Sequence, residues 1–297
     1  MNPLQITVVG SGTMGNGIAH TFAQYKHKVC LIDANPAQLD KAMSTIEKNL
    51  SRQVSKGAIS NEESLAVINR ITTSTQIDET ISHSDLIVEA VTEKKEVKAA
   101  LFRELDRLTS SSTLLTSNTS SISISDIASN CQKPDRVIGM HFMNPVPVME
   151  LVEVIKGKNT SESTIEKTIE ICQSLKKKPV LANDFPGFVA NRILMPMINE
   201  AIIARAQGVA GTQEIDEIMK LGMAHPMGPL ELADMIGLDV CLSIIQVLYD
   251  GFKSDKYKPS PLLEKLVAIG QTGRKTGVGF YKYQSGSKAK EVNELPL

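Results

Sequence analysis

Apolar positions along the first 180 residues switch between two periods. Short β-branched runs at 6–9, 28–32, 71–74, 85–91, 113–117 and 178–182 read as strands, and the run DLIVEAV at 85–91 is apolar enough to be buried on both faces. Between them the spacing widens to that of helices. Ile18, Ala19, Phe22 and Ala23 mark a helix over 16–25, and Leu39, Met43, Ile46 and Leu50 mark another from Pro36 to about Lys56. Further helices are predicted over 61–69, 93–108 and 163–175, the last opened by a Ser163-x-x-Glu166 capping box. The stretch VIGMHFMNPVPVMELVEVI at 137–155 breaks the alternation and reads as two strands joined by a tight turn at Asn144, Pro145 and Pro147. Beyond Pro186 only helical spacing remains, at 187–207, 212–221, 230–252 and 261–269. This order predicts an α/β domain over 1–184 followed by an all-α domain over 185–297.

The first strand runs directly into Gly10-Ser11-Gly12-Thr13-Met14-Gly15 and a helix, and the second strand ends in Asp33. A G-x-G-x-x-G alone is weak, but strand, helix and terminal acid are the context that the motif requires. Gly10 permits the tight turn, Gly12 lets backbone approach a pyrophosphate at the helix N-terminus, and Gly15 lets helix and strand pack closely. The first domain is therefore expected to be a Rossmann-like dinucleotide-binding domain. Asp33 would bond the adenosine ribose hydroxyls and repel a 2′-phosphate, and Ala34-Asn35-Pro36 offers no arginine to hold one, so NAD is expected over NADP. Glu89, Thr92 and Lys94 sit at or beyond the end of the 85–91 strand, and Asn118-Thr119-Ser120-Ser121 follows the next one. Polar residues there face a cofactor crevice or serve as helix caps.

In the 137–155 stretch His141 ends one strand and Glu153 lies inside the next, sharing a face with Leu151 and Ile155. A carboxylate on an apolar face needs a partner, and a carboxylate-oriented imidazole is a general-base arrangement. Taken alone, the pair reads rather as a satisfied structural histidine beside an edge-strand glutamate; the dinucleotide motif upstream turns the reading toward chemistry. Asn191, among Val189, Ile193 and Leu194, faces a cleft or is paired locally. Arg52 and Lys56, four apart on one helix face, could meet phosphates or simply be solvated.

Composition narrows the class without naming an activity. The chain has 297 residues, 42% hydrophobic and 22% charged, with a formal net charge of -1. That fits a soluble globular protein and offers no global field for nucleic acid or a membrane surface. The four cysteines have no metal-binding or CxxC spacing, so no metal site is expected and the thiols read as reduced. A start that enters a strand almost at once, with no long apolar run, favours the cytoplasm. The helix over 230–252 carries more apolar surface than a small domain obviously needs, for which dimerisation is a natural use.

Taken together, GSGTMG at 10–15, VEAVTEK at 88–94, SNTSS at 117–121, HFMNPVPVMELVEV at 141–154, DFPGFVANR at 184–192 and GRKTGVGFY at 273–281 resemble the 3-hydroxyacyl-CoA dehydrogenase family over essentially the whole chain. The resemblance implies an enzyme that interconverts L-3-hydroxyacyl-CoA, by default 3-hydroxybutyryl-CoA, and 3-oxoacyl-CoA with NAD. It implies a catalytic set of His141, Glu153, Ser120 and Asn191. Cofactor contacts would fall at Gly10, Gly12, Thr13, Met14, Gly15, Asp33, Glu89, Lys94, Ser120, Asn144 and Lys275. Substrate contacts would fall at Ser120, Asn191, Ser51, Arg52 and Lys56. A homodimer through the helical domain is also implied. The alternatives are an NAD-dependent dehydrogenase of a non-CoA hydroxyacid or sugar acid, and a non-catalytic NAD-binding structural protein.

Overall fold

The computed structural model describes residues 2–284 and 290–295. The chain divides into two compact units, Met1–Phe185 and Pro186–Leu297.

The first unit alternates β1 (Gln5–Val9), α1 (Thr13–Gln24), β2 (Lys28–Ile32), α2 (Pro36–Ser55), α3 (Asn61–Ile68), β3 (Ile71–Ser74), β4 (Leu86–Glu89), α4 (Lys95–Leu108) and β5 (Leu114–Ser117). It continues with α5 (Ile124–Ala128), β6 (Val137–Phe142), β7 (Leu151–Lys156), α6 (Glu162–Ser174) and β8 (Lys178–Asn183). The strands form one eight-stranded sheet in the order β3-β2-β1-β4-β5-β6-β7-β8. The pairings from β3 across to β6 are all parallel, β7 is antiparallel to β6, and β8 is parallel to β7. The order 3-2-1-4-5-6 reverses direction between β1 and β4, and in such sheets ligands bind outside the strand ends at that reversal. An antiparallel partner for β6 needs only a short connection, which the turn over 143–150 provides.

The apolar runs become strands because both faces are covered. Val8, Leu31, Leu86 and Val88 are fully buried, as are Ile18 and Phe22 of α1 and Ile46 of α2. Each such side chain contributes roughly 1.5–3 kcal/mol relative to exposure. Local chemistry sets the helix starts. Asn35 caps α2 by accepting from the Ala37 N–H, with proline in the first turn, and Ser60 and Glu63 form a capping box on α3.

Two helix starts and the place of one strand differ from the sequence pattern. Helix α6 is capped by Ser161, whose side chain accepts from the Thr164 N–H, so the Ser163-x-x-Glu166 box does not form. Ser163 already lies in the first turn, beyond the position at which a side chain can reach back to orphan donors. Strand β7 is interior rather than an edge, because β8 pairs along its whole length. Helix α4 begins at Lys95, not at Glu93, whose carboxylate is used elsewhere.

The second unit is helical: α7 (Ala190–Ala206), α8 (Thr212–Gly222), α9 (Pro229–Ile236), α10 (Leu238–Phe252) and α11 (Pro261–Ala268), with an antiparallel pair β9 (Tyr281–Tyr283) and β10 (Lys290–Val292). The pair was not expected, since three-residue strands leave almost no periodic signal. The predicted helix over 230–252 is two helices bent by 98° at Gly237, whose φ of 105° only glycine adopts readily. The bend lets Leu230 and Ala233 of α9 and Leu238, Cys241, Ile245 and Leu248 of α10 all enter one core, together with Met195, Ile198 and Ile202 of α7. The apolar surface of that stretch is thus spent mainly inside its own unit. Among the described residues no single helix is long and apolar enough to cross a membrane.

Candidate active site

The Gly10–Gly15 loop joins β1 to α1 under steric constraint. Gly10 has φ 99°, and a methyl group at Gly15 would overlap the Gly10 carbonyl, so helix and strand approach closely only with glycine at 15. A methyl at Gly12 would meet nothing within 4 Å, so the backbone there is open to a ligand. Gly12 is the N-cap of α1 and supplies no side-chain cap, and the first turn carries no acidic residue. The N–H groups at this helix end are therefore available to an anion.

Asp33 follows β2 beside this loop. Its Oδ2 accepts from the Ser11 N–H and hydroxyl, both at 2.9 Å, and its Oδ1 accepts from the Asn35 N–H at 3.0 Å. Burial pushes the carboxyl up, but the bonds from Asn35 and Ser11 outweigh it and hold the group below the usual carboxylate value. A cleft of about 420 Å³ is lined by Gly10, Asp33, Ala34 and Gln76, and another of about 300 Å³ by Gly12, Thr13, Lys41 and Asn144. Lys177, buried behind the proline turn, donates from Nζ to the carbonyls of Val146 and Met149 at 2.6 and 2.7 Å and pins the turn that carries Asn144.

Farther along the sheet, the register of β6 and β7 sets His141 directly opposite Glu153. The imidazole Nδ1 lies 2.8 Å from Glu153 Oε2, with the two side chains 10% and 4% exposed. An ionised carboxylate only accepts, so Nδ1 carries the proton and Nε2 is left as the basic nitrogen. This is the geometry of an oriented general base.

The loop after β5 is held by Glu93. Its Oε1 accepts from the Thr119 hydroxyl at 2.5 Å, the Ser120 N–H at 3.0 Å, and the Ser121 N–H and hydroxyl at 3.1 and 3.0 Å. Lys98, 1% exposed, lies 3.2 Å from Glu93 and 2.5 Å from Glu89. Burial pushes the Glu93 carboxyl up, but Lys98 and the hydroxyls of Thr119 and Ser121 prevail and hold it below the usual range.

Residues 5–185 match the family model of the 3-hydroxyacyl-CoA dehydrogenase NAD binding domain, and residues 187–283 match that of the 3-hydroxyacyl-CoA dehydrogenase C-terminal domain. The chain belongs to the 3-hydroxyacyl-CoA dehydrogenase family. It is 50% identical over 280 residues to a probable 3-hydroxybutyryl-CoA dehydrogenase of Bacillus subtilis, covering 94% of this chain and 97% of that protein. It is 42% identical over 285 residues to the human mitochondrial hydroxyacyl-coenzyme A dehydrogenase, covering 94% and 91%. The crystal structure of (S)-3-hydroxybutyryl-CoA dehydrogenase from Ralstonia eutropha superposes with a TM-score of 0.92 at 42% identity, over 96% of this chain and all of that one.

As an NAD-binding dehydrogenase domain, the first unit fits its cofactor: an uncapped helix N-terminus with open backbone suits the pyrophosphate, and a carboxylate beside it suits the ribose. The residues expected to touch cofactor differ in how they are held. Glu89 is fully buried, its carboxylate held by Lys98, by the Ser117 hydroxyl at 2.5 Å and by the Val91 N–H at 2.7 Å. Lys94 is an exposed N-cap of α4, and the lysine under the crevice is Lys98, one turn on. Gly15 is buried and acts through packing, and the Met14 side chain packs on the core. Lys275 is exposed in the second unit and pairs with Asp239 at 2.6 Å. Asn191 is buried in the first turn of α7, also in the second unit. Ser51, Arg52 and Lys56 are exposed at the C-terminal end of α2. The sequence reading missed Glu93 and Lys98; the signal was VTEKKEVK, in which the two are five apart across a helix start.

Proposed function

We propose that the chain interconverts L-3-hydroxyacyl-CoA and 3-oxoacyl-CoA, with the four-carbon 3-hydroxybutyryl-CoA as its preferred substrate. NAD, held by the Gly10–Gly15 loop and Asp33, supplies the acceptor for the C3 hydride. In the oxidative direction Nε2 of His141 takes the proton of the 3-hydroxyl as the C3–H bond breaks and the carbonyl forms. Glu153 fixes the tautomer and stabilises the imidazolium, and does not itself receive the substrate proton. Ser120 and Asn191 hold the substrate oxygen, and Asn144 orients the cofactor. Ser51, Arg52 and Lys56 meet the CoA phosphates, where exposed cations cost little to bring to an anion.

The observation that carries this reading is the buried His141–Glu153 pair in a unit built to hold NAD. A scaffold protein gains nothing from an imidazole oriented by a buried carboxylate. The names of the relatives from Bacillus subtilis and Ralstonia eutropha support the four-carbon substrate. A homodimer through the second unit and a cytoplasmic location complete the proposal. Acetoacetyl-CoA and NADH are mixed with the protein and the nicotinamide absorbance followed. Turnover is expected, with His141→Ala slower by roughly 10²–10⁴-fold; no turnover, or a fully active His141→Ala, overturns the assignment.

A further inference from the structure

Strand β5 stops pairing with β6 at Ser117, which lies opposite Gly139, yet β6 runs on to Phe142. Beyond that point a side chain joins the two. The backbone of Asn118 turns toward β4 and donates to the Glu89 carbonyl at 2.8 Å, while its side-chain Oδ1 accepts from the Phe142 N–H at 2.9 Å. The N–H it takes belongs to the peptide between His141 and Phe142. The other edge of β6 is occupied by β7, where His141 faces Glu153 and Phe142 faces Val152. Without Asn118 the Phe142 N–H, in a residue 2% exposed, would lose its partner.

Asn118 stands two residues before Ser120. Its loop is fastened from the far side by Glu93, which holds Thr119, Ser120 and Ser121, and from below by the Ser117 hydroxyl, which accepts from the Thr119 N–H at 3.1 Å. Glu93 and Ser117 locate that loop relative to β4 and α4. The Asn118 amide ties it to the strand that carries His141. We propose that Asn118 is a positioning residue, setting the distance between the base His141 and the Ser120 loop through the bond from its Oδ1 to the Phe142 N–H. This rests on the reaction proposed above, in which both residues address the same substrate oxygen. The side-chain amide has no apolar work to do in a half-buried position, and a hydrophobic residue there would leave the Phe142 donor unsatisfied.

The test uses two variants of the whole chain. Asn118→Ala removes the acceptor; Asn118→Asp keeps an oxygen in the same place. Each is assayed with acetoacetyl-CoA and NADH for kcat and both KM values, and its thermal midpoint is recorded. A misplacement on the order of 1 Å costs roughly 100-fold in rate. Asn118→Ala is therefore expected to lose kcat by about that factor with KM for NADH little changed, and Asn118→Asp to recover most of it. A residue that merely stabilises the fold would lower the midpoint and leave the kcat of folded protein intact, and that result overturns the proposal. Equal losses in the two variants overturn it as well. Wild-type protein without turnover would overturn the reaction itself and this inference with it, whereas an active wild type with an equally active Asn118→Ala overturns this inference alone.

Discussion

The proton on His141 is placed by what Glu153 lacks. The carboxylate has no hydrogen to give, so the 2.8 Å bond can form only with Nδ1 protonated. Glutamine at 153 would keep size and shape but lose the negative charge that stabilises the imidazolium, and its amide can turn an N–H to the same nitrogen, which selects the opposite tautomer. Glu153→Gln is therefore expected to lower kcat by roughly 10²–10⁴-fold while leaving NADH binding unchanged, read by steady-state rates and by fluorescence titration of NADH. An unchanged kcat would show that orientation of the base does not depend on this carboxylate. The alternation of side chains along the strand made Glu153 visible in the sequence, and its need for a partner followed from burial. That Glu89 would be sealed away by Lys98 and Ser117 was not visible, because Ser117 is distant in the chain and Lys98 was hidden in a charged helix face.

Two buried aspartates tie separate elements of the second unit together. Asp216 of α8 accepts from the Leu230 and Glu231 N–H groups at the start of α9 and from the Tyr281 hydroxyl at 2.7 Å. Asp234 of α9 accepts from the Phe280 and Tyr281 N–H groups and from the Tyr283 hydroxyl, each at 2.9 Å. These bonds tie the GVGFY segment and β9 to the helices. Burial raises Asp234 to about 6, against the pull of its three donors. The unfolded chain, with this carboxyl near 3.8, ionises first as pH rises. The group's contribution to stability is thus greatest below about 4, declines as pH rises and levels off above about 6, by on the order of 3 kcal/mol. In urea unfolding at a series of pH values, the stability of wild type relative to Asp234→Asn is expected to fall over that window. A difference that stays flat, or rises, would contradict the environment assigned to Asp234.

For the molecule as a whole, the apolar residues left exposed on the second unit lie mostly outside α10, where Val240 is 40% exposed. Ile218 and Leu221 of α8 are 60% and 83% exposed, and Met223 just beyond is 62% exposed. Such a cluster is costly in water and suits a surface covered by a second copy. Light scattering is expected to give twice the chain's mass, and Leu221→Asp to shift it toward the monomer with acetoacetyl-CoA turnover measured in parallel. A wild-type protein that runs as a monomer at micromolar concentration would set the dimer aside.

Strand runs, helix spacing and the glycine loop were legible because each depends on residues within a few positions of one another, whose sterics and hydrogen bonds act locally. The His141–Glu153 pair was legible for the same reason: a short antiparallel connection fixes its register within twelve residues. The break at Gly237 escaped because periodicity continues through it, and only the chance to bury both halves in one core makes the bend favourable. Which charges serve the crevice and which are sealed beneath it escaped too. Glu93 reaches Ser120 across 27 positions and Asp184 reaches Ser123 across 61, and no local pattern reports which distant donors a carboxylate will meet once the sheet has brought them together.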